Sequence, residues 1–250
     1  MMCTSTDITA DFFLNAEGMA PNSYRSTMRA LSFVEGRTRL EKIADVGCGT
    51  GLQTVALYEA TQRQIVAVDF VTEFVEYMKQ ELYRQKLMEY ISPVLASPGG
   101  LPFEEEELDL LWSEYAAGKY GFEYTLREWS RFVRKDGYMV VCSYCWLADN
   151  PPEMVTDYWK ANDKEIETID CRVKQFVKSG FLPVAHFVMP DECWWNYFCP
   201  LEENFKSFID KYPGNQEAEQ LIDKIDKEIS FYEKYSEYYG YVFFIGRKLR

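Results

Sequence analysis

Gly47, Gly49 and Gly51 stand at every second position of the stretch ADVGCGTGLQT, residues 44–54, between an apolar run and a run of helix formers. Ile43 to Val46 reads as a short buried strand, and Leu52, Val55 and Ala56 recur at helical spacing as an inward stripe, so the glycines fall on a strand-to-helix turn. Glycines there permit positive φ and carry no Cβ, which lets a ligand lie against the backbone while the next helix offers unpaired N–H groups. That chemistry suits a nucleotide-type or carboxylate-type ligand.

Spacing narrows the ligand. A dinucleotide fingerprint reads G-x-G-x-x-G, whereas here the third glycine comes one residue early, position 52 is Leu52, and no GK[ST] follows to make a phosphate-binding loop. The next apolar run, QIVAVDF, ends in Asp69, about 20 residues past the glycines, where a second parallel strand presents an acid to a ribose. A ribose without a pyrophosphate suggests a nucleoside cofactor.

Asp45, Gly47, Gly49, Gly51 and Asp69 together resemble the class I S-adenosylmethionine-dependent methyltransferases, whose first motif looks like D-x-G-x-G-x-G and whose second strand ends in an acid. The resemblance continues through LPFEEEELDLLWSE, similar to the family's fourth strand with its acidic start at Asp109, and VRKDGYMVVCSY, similar to the turn into its fifth strand. It covers roughly residues 40–146, and the order of elements is most similar to the small-molecule group that includes the ubiquinone/menaquinone and sterol methyltransferases. The resemblance implies S-adenosylmethionine as cofactor, S-adenosylhomocysteine as product, and a Rossmann-like doubly wound α/β sheet, mostly parallel with an antiparallel last strand. It also implies cofactor contacts at Asp45, Gly47, Cys48, Gly49, Thr50, Gly51, Gln53, Asp69, Phe70 and Ser113. Many relatives carry an acid for the adenine amino group after the third strand. The matching stretch here is ASPGGLPF with Gly99 in that place, so Pro98 and Gly99 are expected near the adenine without a side-chain contact. Glu114, Tyr115 and Tyr120 are the catalytic candidates facing the acceptor, with Trp146 beyond the fifth strand.

The reaction so implied is an in-line displacement at a sulfonium methyl, whose acceptor is a small molecule reacting through N, O or C. A base is needed only where the acceptor must lose a proton, and Glu114 is the candidate. Two other readings stay open: a non-catalytic module that senses the cofactor or its product, and, less well matched to Leu52, a nucleotide-dependent oxidoreductase.

Composition removes other classes. A formal charge of −13 with no basic cluster argues against nucleic acid as a partner. No run approaches the eighteen or so apolar residues a membrane span needs, so no membrane partner is expected. The opening MMCTSTDITADFF does not look like a signal peptide, which points to a cytoplasmic protein with its seven cysteines reduced. With one histidine, His186, read as a structural strand residue, no metal site is expected. Cys142 and Cys145 have C-x-x-C spacing, but in a strand residues three apart point to opposite faces, so both read as buried apolar residues. The run FEEEELD, 103–109, reads as a solvated loop. Eighteen tyrosines suit a flat or cationic acceptor and are equally compatible with a homodimer.

The elements that must position these residues are legible from periodicity. Strands and helices alternate over 42–146, with helices expected near 71–88 (Val71, Phe74, Met78 and Leu82 inward) and 122–134 (Phe122, Leu126, Trp129 and Val133 inward). A helix capped by Asp149 or Asn150, a helix stopping at Gly180, and strands at 184–189 and 241–246 follow. The whole, 1–250, reads as a single domain. Residues 1–38 form a helical lid segment with Met28 and Leu31 inward, and a helical insertion, 190–240, separates the last two strands. DECWWNYFCP opens that insertion, which is expected to cap the substrate side.

Overall fold

The computed structural model describes residues 8–16, 20–114, 116–162 and 165–249. Its strands are β1 (Ile43–Val46), β2 (Ile65–Asp69), β3 (Ile91–Leu95), β4 (Leu108–Ser113), β5 (Val133–Trp146), β6 (Glu167–Thr168), β7 (Phe181–Val188) and β8 (Tyr239–Lys248). Its helices are α1 (Ile8–Leu14), α2 (Tyr24–Ser32), α3 (Leu52–Thr61), α4 (Thr72–Gln85), α5 (Ala116–Lys119), α6 (Phe122–Trp129), α7 (Glu153–Ala161), α8 (Ile169–Lys178), α9 (Asp191–Lys211) and α10 (Gln216–Tyr235).

The strands form one sheet in the order β3-β2-β1-β4-β5-β8-β7, with β6 beside the end of β5. Pairing is parallel throughout except at β8, which runs antiparallel to both β5 and β7. This is the expected Rossmann-like doubly wound sheet. Period-2 alternation builds its two cores: Val140, Cys142 and Tyr144 of β5 with Tyr241, Phe243 and Ile245 of β8 on one face, Met139, Val141 and Cys145 with Val242 and Phe244 on the other. Cys142 and Cys145 are therefore buried in different layers, as their spacing requires. Both outer strands carry a proline, Pro93 in β3 and Pro183 in β7, which is tolerated there because an edge strand has one side without ladder bonds.

Several local expectations are corrected. α6 ends at Trp129 and passes through a short turn, Ser130–Phe132, so Val133 opens β5 instead of closing a helix. Asp136-Gly137 is a bulge inside β5: the pairing with β4 jumps from Leu108↔Val133 to Leu110↔Tyr138. Asp136 takes φ 63°, and a Cβ on Gly137 would lie 3.0 Å from the Asp109 carbonyl oxygen. Pro152, not Asp149 or Asn150, precedes α7, because Asn150 occupies the left-handed region at φ 56° and cannot cap in extended geometry. Val71 is the N-cap of α4 and half-buried, while Phe74, Val75, Met78 and Leu82 form the buried stripe. His186 is exposed on the edge strand β7. Of the run 103–109, Glu104, Glu105 and Glu106 are exposed as expected, but Asp109 is buried at the start of β4, where it accepts from the amides of Glu41 and Lys42 at 2.7 and 2.8 Å. No helix among the described residues is long and apolar enough to cross a membrane.

Residues between β7 and β8 form the long α9 and α10. Trp194 and Phe198 of α9 are buried and meet Tyr232 of α10, with ring centroids 4.2 and 5.6 Å away, and Trp194 reaches Tyr241 of the sheet at 5.7 Å. These aromatics thus fasten the insertion to the sheet. α1 rests on the same helices: Phe12, fully buried, meets Phe208 edge-on at 4.9 Å, Asn204 donates to the Phe12 carbonyl (3.1 Å), and Lys211 pairs with Asp11 at 2.6 Å. Phe12→Ala is expected to cost about 3 kcal/mol and to release α1 from this seat. Hydrogen-exchange mass spectrometry on α1 amides checks it, and unchanged protection would show that the ion pair and Asn204 hold the helix by themselves.

Candidate functional site

A cavity of about 750 Å³, counting its open mouth, lies at the carboxyl ends of β1, β2 and β4, where ligands bind in sheets of this topology. Its lining comes from four segments: Asp45 with Gly47 to Thr50, Leu52 and Gln53, Asp69 to Val71 with Phe74, then Glu114, Ala116 and Tyr120, and finally Ala20 and Asn22 from the N-terminal segment.

The glycine turn is built as its spacing requires. Gly47, Gly49 and Gly51 take φ of 77°, 55° and 93°, a region costly for side-chain-bearing residues. At Gly47 a Cβ would sit 2.3 Å from that of Ala116, so β1 and β4 can present their loops side by side only with glycine there. Gly51 caps α3, whose first-turn amides start beside the cavity. Leu52 is 54% exposed and not a core residue, because the stripe of α3 is set by Ala56, Leu57 and Thr61 instead.

Three carboxylates face this space. Asp69 accepts from the amides of Gly49 (2.8 Å), Phe70 (2.7 Å) and Val71 (3.0 Å). Asp45 accepts from Thr54 Oγ1 at 2.6 Å, and burial pushes its carboxyl up to about 7, against the Thr54 bond and with the charge of Asp69 adding. Glu114 is 7% exposed; its Oε1 accepts from Thr27 Oγ1 of α2 (2.8 Å) and Trp112 Nε1 (3.0 Å), while its buried Oε2 has no hydrogen-bond partner. Burial raises this carboxyl to about 7 as well, opposed by Thr27 and Trp112 and to a smaller extent by the Gln53 amide, and helped by the Asp45 charge. Burial likewise holds the Cys48 thiol well above its ordinary range, so it is protonated and no nucleophile. Among the described residues the lining carries no Lys, Arg or His.

The structure thus brings together Asp45, Gly47, Cys48, Gly49, Thr50, Gln53, Asp69, Phe70, Glu114 and Tyr120. Gly51 faces instead a neighbouring groove between α3 and α4. Ser113 is fully buried, and neither it nor Pro98 or Gly99 is on the wall; the Pro98 carbonyl accepts from Trp129 Nε1 at 2.9 Å. Tyr115 lies outside the described residues. Tyr120 stands edge-on to Phe70 at 5.1 Å, beside Asp69, and Trp146 packs against Trp159 at 6.5 Å away from the cavity. No described residue of 190–240 lines it. Ala20, Asn22 and Thr27 were not foreseen, since a lining residue from a segment far off in sequence leaves no local pattern to read.

Residues 44–141 match the family model described as a methyltransferase domain. No curated protein sequence matches the chain. Among solved structures, it is similar to an S-adenosylmethionine-dependent methyltransferase from Thiobacillus denitrificans in complex with S-adenosylhomocysteine, with TM-score 0.81, 16% identity, 97% of this chain and 98% of that one covered. The corresponding enzyme from Geobacter sulfurreducens gives 0.76, 16%, 95% and 98%. Haemonchus contortus phosphoethanolamine N-methyltransferase 2 gives 0.74 and 13%; the match takes in 98% of this chain but only 58% of the length of that protein. These likenesses establish the fold.

Because Asp45 and Glu114 hold protons in the folded state up to about pH 7 and lose them near pH 4 when unfolded, the native state binds more protons between those values. Stability attributable to these groups therefore falls as pH rises through that window. Glu114→Gln removes one contribution and should raise the melting temperature by about 5 °C at pH 8, with the gain vanishing below pH 4.5. Calorimetric melts across pH check this; no gain at pH 8 would mean that Oε2 is solvated.

Proposed function

We propose that this protein transfers a methyl group from S-adenosylmethionine to a small-molecule acceptor. The observation that carries the reading is one cavity combining a cradle too tight for a Cβ at Gly47, an acid at the end of β2, and an orphaned carboxylate oxygen after β4.

The residues fit the cofactor. The Gly47–Gly51 turn and the first amides of α3 would lie against it, with Cys48, Thr50, Gln53 and Phe70 around it. Asp69 would accept from a ribose hydroxyl with the lone pair its three amide partners leave over. When bound, S-adenosylmethionine supplies a methyl group on a positively charged sulfur, already activated for displacement. The protein's own task is to hold the acceptor about 3 to 3.5 Å from that carbon and to keep water out. Glu114 and Tyr120 are the acceptor-facing candidates on the wall, and the 1–38 segment, which supplies Ala20 and Asn22, acts as the lid. In this reading 190–240 serves as the seat of the lid and not as the lid itself.

Calorimetric titration with S-adenosylmethionine, S-adenosylhomocysteine and NAD tests the reading. The two adenosyl ligands are expected to bind and NAD is not. Asp69→Ala and Gly49→Val should each abolish that binding in a chain that still folds, the first by freeing three amides, the second by forcing a β-branched residue to φ 55°. Binding of neither adenosyl ligand would withdraw the proposal. Binding without turnover of any acceptor would favour a sensor.

A further inference from the structure

Resting on that cofactor reading, we propose that the acceptor is an amine, taken up as an ammonium ion, and that Glu114 Oε2 accepts its proton before methyl transfer. The Glu114 carboxylate is built for such a task. It is fixed by Thr27 and Trp112 on one oxygen, while its other oxygen is buried and makes no hydrogen bond within 3.5 Å, with the Gln53 amide of the same cavity lining as a polar neighbour. An unpaired buried acceptor is costly in a native structure and calls for a donor that arrives with the ligand.

Charge selects which donor. Asp45, Asp69 and Glu114 face the cavity together, and no described lining residue is cationic. An acceptor whose reacting end bears phosphate or carboxylate would set that charge against the buried Glu114 carboxylate, with no cationic side chain among the described lining residues to pair it. The Haemonchus neighbour was solved with phosphomonomethylethanolamine, so acceptor charge is where this chain is expected to differ from it. A hydroxyl acceptor would enter neutral, with no positive charge for the buried Glu114 carboxylate to attract. An amine instead remains favourable at every stage. The N–H bond breaks and an O–H bond forms on Glu114, leaving the electron pair on nitrogen. That pair forms the new N–CH3 bond while the C–S bond breaks and its pair stays on sulfur. The positive charge passes from sulfur to the methylated nitrogen, and the proton on Glu114 is returned to solvent when the product leaves. Total charge is conserved, and no further reactant is needed.

The test uses the full chain loaded with S-adenosylhomocysteine and three probes that share one ring and differ in charge: benzylamine, benzyl alcohol and benzyl phosphate. Titration calorimetry reads binding, and transfer from labelled S-adenosylmethionine reads turnover. Benzylamine should bind at least tenfold more tightly than the other two and alone be methylated. Glu114→Gln should lose at least tenfold in benzylamine affinity and a hundredfold in rate while still binding S-adenosylhomocysteine, which shows the variant is folded. Equal or tighter binding of the alcohol or the phosphate, no binding of any probe, or undiminished amine affinity in Glu114→Gln would each overturn the inference. Failure of wild-type protein to bind S-adenosylhomocysteine would instead strike the cofactor reading, and the amine assignment with it.

Discussion

The carboxylate of Asp69 is the fixed point around which the site is arranged. It receives an amide from the glycine turn after β1 and two from its own turn after β2, so a single side chain sets the distance between the loops that bound the cavity. Charge-assisted bonds of this kind are among the stronger ones in a protein. A carboxylate has about four acceptor positions, and three are already taken. The residue whose place suggests a ribose ligand is thus first a fastener of loops, and a hydroxyl arriving there joins a network that is already polarised.

Around that point the other two acids are held away from water, and the segments responsible are distant in the chain. α2 presses Thr27 onto Glu114, Trp112 holds it from the sheet, and Cys193 at the start of α9 contacts Ser23 and Ser26 at 3.3 and 3.4 Å. α1 is seated on Phe208 and Lys211. The insertion therefore acts on the cavity at one remove, by shaping the N-terminal segment. A desolvated acidic wall is the outcome, held in place by Thr27, Trp112 and α9, none of which lines the cavity.

Most of the sheet was legible because its signals are local. The glycines needed positive φ and have it, QIVAVDF ends at Asp69 as a strand should, and Gly180 stops α8 at φ 87°. Boundaries failed where tertiary demands overrode periodicity: Val133 fits the stripe of α6 as well as it fits β5, and only pairing with Leu108 decides it. The site was legible in its backbone half. The 1–38 segment reads as a helical lid, but which of its residues reach the cavity is not legible, since Ala20 and Asn22 carry no motif, and the aromatic cluster that opens the insertion reads as a cap. Trp194 and Phe198 meet Tyr232, and no described residue of 190–240 lines the cavity, a fact of packing that no pattern in DECWWNYFCP encodes.

The pairing of Asp11 with Lys211 and of Phe12 with Phe208 has a bearing on how the protein is made. During synthesis the β1 to β5 half, with its glycine turn and Asp69, leaves the ribosome well before the residues on which α1 settles. The N-terminal helix must wait, with Phe12 uncovered, until α9 has emerged and docked. A nascent chain therefore holds the glycine turn and Asp69 for a time without the residues that seat α1, which come only with the last fifth of the polypeptide.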